Sequence, residues 1–109
     1  MVQVLGKVAL NARTFKKTSH ADNDRKDREE RAKALGGEFY CSYLVNTGHR
    51  DGLEVHTVLT SGVIIVANKA KQVIITWLIA EPYQIKRYGI KDEMILSNAR
   101  RNKEMGLDY

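Results

Sequence analysis

The sequence predicts an α+β fold: an N-terminal helix, a four- to five-stranded antiparallel sheet and a C-terminal helix. Three observations predict it. Residues 19–35 are charged throughout and free of Gly and Pro. Residues 39–88 hold successive β-rich runs separated by turn residues. Beyond them Ile90, Met94, Ile95 and Ala99 recur at helical spacing. Strands grouped together, with helices segregated to the ends, argue for α+β rather than α/β. At 109 residues the chain is one domain. It has one modest core, burying roughly 65% of its unfolded surface.

Each element has a local reason. Val2, Val4, Val8 and Leu10 fall at even spacing and predict a short first strand. Residues 11–18 are polar and read as a loop. Ser19 is placed to cap a helix that runs to Leu35, with Asp22, Asp24 and Asp27 at the positive end of its dipole. Gly36-Gly37 stops it. Arg25–Glu29 and Asp27–Arg31 stand four apart, as helical ion pairs do. The helix has little apolar surface: Ala21, Ala32, Ala34 and Leu35. Strands follow at Phe39–Val45, Leu53–Thr60, Val63–Ala67 and Gln72–Ala80, with Ser61-Gly62 as a tight hairpin turn. Pro82 breaks the last of these, and Gln84–Tyr88 reads as a short terminal strand ended by Gly89. The final helix spans Ile90 to Met105, with Gly106 at its C′ position. The central strands are apolar on both faces. A helix covers one, and a second copy of the chain is the expected cover for the other.

Composition excludes more than it assigns. One cysteine, Cys41, excludes an intramolecular disulfide and a cysteine-based zinc site. In its β run Cys41 reads as a small hydrophobe. No apolar run reaches the ~20 residues of a membrane helix. Met1–Lys7 carries no signal-peptide pattern, which predicts a reducing, cytoplasmic location. The net charge of +5 is uneven. Residues 1–18 hold Lys7, Arg13, Lys16 and Lys17 with no acid, whereas residues 19–35 are neutral. Residues 84–104 carry a net +3. Such an excess suits a phosphate-bearing partner or serves solubility.

Strand alternation puts Leu53, Val55, Thr57 and Leu59 on one face and Glu54, His56, Val58 and Thr60 on the other. An acid and a histidine two apart on one face form a usable acid–base pair. A hydrogen-bonded structural histidine is the alternative. Thr76 stands within aliphatic neighbours, as a β-branched strand former or as a hydroxyl offered to a ligand. In Tyr83-Gln84-Ile85-Lys86-Arg87-Tyr88, cations interleave with rings, as nucleic-acid contacts require. Alternation would turn Arg87 inward, where it needs an anion such as Glu54 or a phosphate. His20, His49 and His56 have no metal-ligand spacing, and no glycine-rich phosphate loop is present.

The order of these segments resembles a known group. A helix with His20-Ala21, Arg25, Arg28 and Arg31 precedes Glu54-Val55-His56-Thr57. Then come Thr60–Val66, Val73–Ala80 and Pro82-Tyr83-Gln84-Ile85-Lys86-Arg87-Tyr88. Over residues 19–88 this is similar to small phage and toxin-module proteins of the barnase–EndoU–colicin–RelE (BECR) nuclease group. The resemblance implies a cytoplasmic, phage- or bacterium-encoded ribonuclease that cuts RNA without metal or cofactor. A base would deprotonate the ribose 2′-OH for attack on the phosphate, and an acid would protonate the leaving oxygen. His20 and His56 would be the acid–base pair, with Glu54 orienting, Thr76 positioning the phosphate and Arg87 stabilising its charge. Arg25, Arg28, Gln84, Lys86 and Tyr88 would bind nucleic acid. RNA, a protein inhibitor and a second copy are the implied partners. Glu81 and Tyr83 depart from the pattern, where a basic and a small residue are usual. Two other classes therefore stand beside the nuclease: a non-catalytic nucleic-acid- or protein-binding module of the same architecture, and a homo-oligomeric accessory or structural protein.

Overall fold

A computed structural model describes residues 2–18, 26–48 and 52–107. In chain order it contains β1 (Gln3–Val8), a 3-10 turn (Ala12–Thr14), β2 (Lys16–Lys17), α1 (Lys26–Leu35) and β3 (Phe39–Asn46). Then follow β4 (Leu53–Leu59), β5 (Val63–Asn68), β6 (Val73–Ile79), α2 (Pro82–Lys86) and α3 (Glu93–Glu104). One six-stranded sheet runs in the order β1-β3-β4-β5-β6-β2. All neighbours are antiparallel except β2, which runs parallel to β6. The α+β class and the C-terminal helix hold. The sheet is wider than four or five strands, because the polar arm supplies an edge at each end. Lys16–Lys17 has no apolar pattern to reveal it. Its pairing to Val73 and Ile74 is a backbone bond between exposed residues.

Both faces of the sheet are covered from within the chain. On the first face Val55, Leu59, Val63, Ile65, Ile74, Trp77 and Ile79 pack with Ala12 of the 3-10 turn and Ala32 of α1. On the second face Tyr43, Val45, Val58, Ile64 and Val66 pack with Ile85 of α2 and Ile95, Leu96 and Ala99 of α3. The doubly apolar strands that predicted a second copy are thus accounted for in one chain. Alternation along β4 is as read: Val55 and Leu59 face one side, His56 and Val58 the other. Thr57 is fully buried on the first face. Its hydroxyl accepts from the Ala12 N–H at 2.9 Å and lies 2.7 Å from Ser42 Oγ, tying the 3-10 turn to the sheet. No helix among the described residues is long and apolar enough to cross a membrane.

Residues 82–86 are helical, so the expected terminal strand at 84–88 is corrected. Pro82 occupies the first turn, and the Gln84 side chain accepts from the Glu81 N–H at 2.8 Å, half of a capping box. Ile85 is buried and Tyr88 half-buried, and their spacing of three is helical rather than alternating. The final helix begins at Glu93 rather than Ile90, where Asp92 accepts from the Met94 N–H at 3.0 Å. It ends as read, with Gly106 at φ +71°. Ser19, Ala21, Asp22 and Asp24, the predicted start of α1, lie outside the described residues.

Candidate functional site

Register places one row of side chains across the second face. Tyr43 pairs with His56, His56 with Val66, and Val66 with Thr76. Glu54 precedes His56 by two on β4, and its Oε1 lies 2.9 Å from His56 Nε2. On the other side of the ring, Nδ1 lies 2.6 Å from the Tyr88 hydroxyl. Tyr88 reaches this position from the turn after α2, and its ring stacks on Tyr43 at 4.9 Å between centroids. The imidazole meets Tyr88 edge-on. His56 itself is only 7% exposed.

The chemistry of this chain follows from its bonds. Burial pushes the Tyr88 phenol far above its ordinary value; Arg87 pulls it down and the Glu54 carboxylate pushes it further up. Tyr88 therefore remains a hydroxyl. With a neutral ring, Tyr88 donates to Nδ1 and Nε2–H donates to Glu54. With a charged ring, both nitrogens donate. In either state neither ring nitrogen is turned to a substrate. Burial, reinforced by Cys41, pushes Tyr43 up as well.

The other residues named from sequence are dispersed around this centre. Thr76 lies two strand spacings from His56, roughly 10 Å. Its hydroxyl accepts from Arg28 Nη1 at 3.2 Å, so α1 is joined to β6 there. Arg87 is exposed at the end of α2, beside Tyr88 and on the same side of the sheet as His56. Its expected inward position is corrected, because a helical turn replaces strand alternation. Lys86 is exposed. Gln84 has its side-chain oxygen engaged in the α2 cap. Glu81 meets Lys103 of α3 at 3.1 Å. The residue that departs from the nuclease pattern thus caps one helix and holds another. His20 and Arg25 lie outside the described residues. Among the described residues, no group of His, Cys, Asp or Glu could hold a metal ion.

No family model, curated protein or solved structure matches this chain. Its function must therefore be argued from its own geometry.

A second constellation was not legible in sequence. Glu29 of α1 is 7% exposed. Its two oxygens meet Lys17 Nζ at 3.0 Å and Lys33 Nζ at 3.2 Å. These residues wall a cleft of about 400 Å³ that Arg13, Phe15 and Trp77 also line. Only the Glu29–Lys33 spacing of four was readable as a pair. Lys17 arrives through the two-residue β2, which no periodicity announces. Burial alone would raise the Glu29 carboxyl, but the two lysines outweigh it and hold it below the usual carboxylate range.

Proposed function

We propose that the chain is a nucleic-acid-binding module that holds a single RNA strand without cutting it. The observation that carries the reading is the acid-free arm, residues 2–18, docked on the sheet. The 3-10 turn and β2 set Arg13, Lys16 and Lys17 in a row interrupted by Phe15, along the same edge as Arg28. Cations at that spacing neutralise successive phosphates, and an interleaved ring offers a stacking surface. The engagement of both His56 nitrogens supports binding without cleavage. Anisotropy of a labelled single-stranded RNA should show binding at about 50 mM salt that weakens steeply toward 200 mM. Lys16→Ala should lower the slope of log affinity against log salt by roughly 0.7. Absence of binding at the lower salt would overturn the reading.

The ribonuclease reading keeps one specific support. Glu54, His56 and Tyr88 form a continuous acid–base chain, and the Arg87 charge acts on its last member. RNA cleavage in EDTA that is lost in His56→Ala would select catalysis over binding alone.

A further inference from the structure

We infer that the cleft between α1, β2 and the first face of the sheet is a subsite for one nucleotide, its base inside and its phosphate at Arg13. The inference rests on the RNA-binding reading and names where a single base would be held. The cleft encloses about 400 Å³, toward the small end of the ~300–1,000 Å³ typical of small-molecule sites. It is long-walled and apolar at its floor, where Trp77 lies, with the Phe15 ring at its side. A planar, weakly polar group fits such a space, since ring faces attract other ring faces.

Charge selects an anion on that planar group. Arg13, Lys17 and Lys33 stand against Glu29 alone, leaving two positive charges in excess. Lys17 and Lys33 are shared with the Glu29 carboxylate, on separate oxygens. Each oxygen keeps a further lone pair, so Glu29 can accept from a base N–H or a ribose hydroxyl. Its negative charge drives a phosphate away from the α1 wall and toward Arg13, whose guanidinium matches phosphate in two-point geometry. The Lys33 side chain, 71% exposed, can contribute from the rim. A purely apolar ligand would leave the excess charge unanswered, and inorganic phosphate would leave the aromatic floor unused.

Trp77 is the only tryptophan, so its emission reports on this cleft alone. Titrating the full chain with adenosine 5′-monophosphate should quench it saturably. Adenosine alone and inorganic phosphate should each bind at least tenfold more weakly. Arg13→Ala should weaken the monophosphate about tenfold, as loss of a charge-assisted hydrogen bond does, and Arg13→Lys should recover part of it. No saturable change, or equal affinity in Arg13→Ala, would overturn the subsite. So would tighter binding of decanoate, which would mark a lipid-anion site. Parallel anisotropy with labelled RNA separates this inference from the reading beneath it. Strand binding with unchanged Trp77 emission removes the subsite and keeps the reading. Saturable monophosphate binding without strand binding does the reverse.

Discussion

At the residue scale, the Glu54–His56 pair was legible because β alternation alone puts i and i+2 on one face. Its third member was not, since Tyr88 arrives from a helical turn that looked like a strand. Glu29 shows the same limit more sharply. Its spacing from Lys33 is local, but Lys17 is twelve residues away and meets it only after β2 has paired with β6. Glu29 also gives a pH prediction. Its folded carboxyl lies below the ordinary value near 4.5, so the unfolded chain binds its proton first as pH falls. The pair with Lys17 and Lys33 thus contributes full stability above that value and loses it as pH drops through the folded one. Urea midpoints measured from neutral pH down to pH 3 should fall on acidification. Glu29→Gln should be less stable at neutral pH and show a shallower fall. A variant with the same pH dependence as the parent would remove Glu29 from the account of acid stability.

At the element scale, strands with continuous apolar patterns were read at nearly their true bounds, because β4, β5 and β6 bury both faces. Elements held by backbone pairing or caps were missed. β2 is two exposed lysines, and α2 is five residues whose helical state depends on Pro82 and the Gln84 cap. The turn out of α1 is the opposite case. Gly36-Gly37 was read as a stop, and Gly37 takes φ +93°, a conformation that disfavours side chains. A Cβ there would come within 2.6 Å of Ser61 Oγ and 2.8 Å of the Ser61 backbone nitrogen. That serine donates to the Gly36 carbonyl at 2.8 Å, locking the α1–β3 turn to the β4–β5 hairpin. Gly37→Ala combines the left-handed cost with a clash against backbone, a destabilisation of about 2–4 kcal/mol. Gly36→Ala, where a Cβ meets nothing within 4 Å, carries the conformational cost alone. Chemical denaturation of both variants should therefore rank Gly37→Ala as the more damaging, and the reverse order would refute the contact argument.

At the scale of the whole molecule, the sheet depends on cover from both ends of the chain. The arm and α1 close the first face, and α2 and α3 close the second. The nuclease pattern seen in residues 19–88 has no need of α3, yet this chain does. Ile90, Ile95, Leu96 and Ala99 are buried against Val58, Ile64 and Val66. Asn98 Nδ2 donates to the Thr60 carbonyl at 2.8 Å, and Asn102 Nδ2 to the Ser61 carbonyl at 2.9 Å. α3 therefore also satisfies the hairpin that Gly37 locks. Burial of the three large side chains alone contributes about 1.5–3 kcal/mol each. Their sum rivals the ~5–15 kcal/mol that a whole domain retains. A chain ending at Gly89 should lose its cooperative urea transition and bind a hydrophobic dye such as ANS, with its central strands exposed. Leu96→Ala should keep the transition and shift it by ~2–5 kcal/mol. If the shortened chain unfolded cooperatively at the parent's midpoint, α3 would be an appendage, and the second face would need another cover.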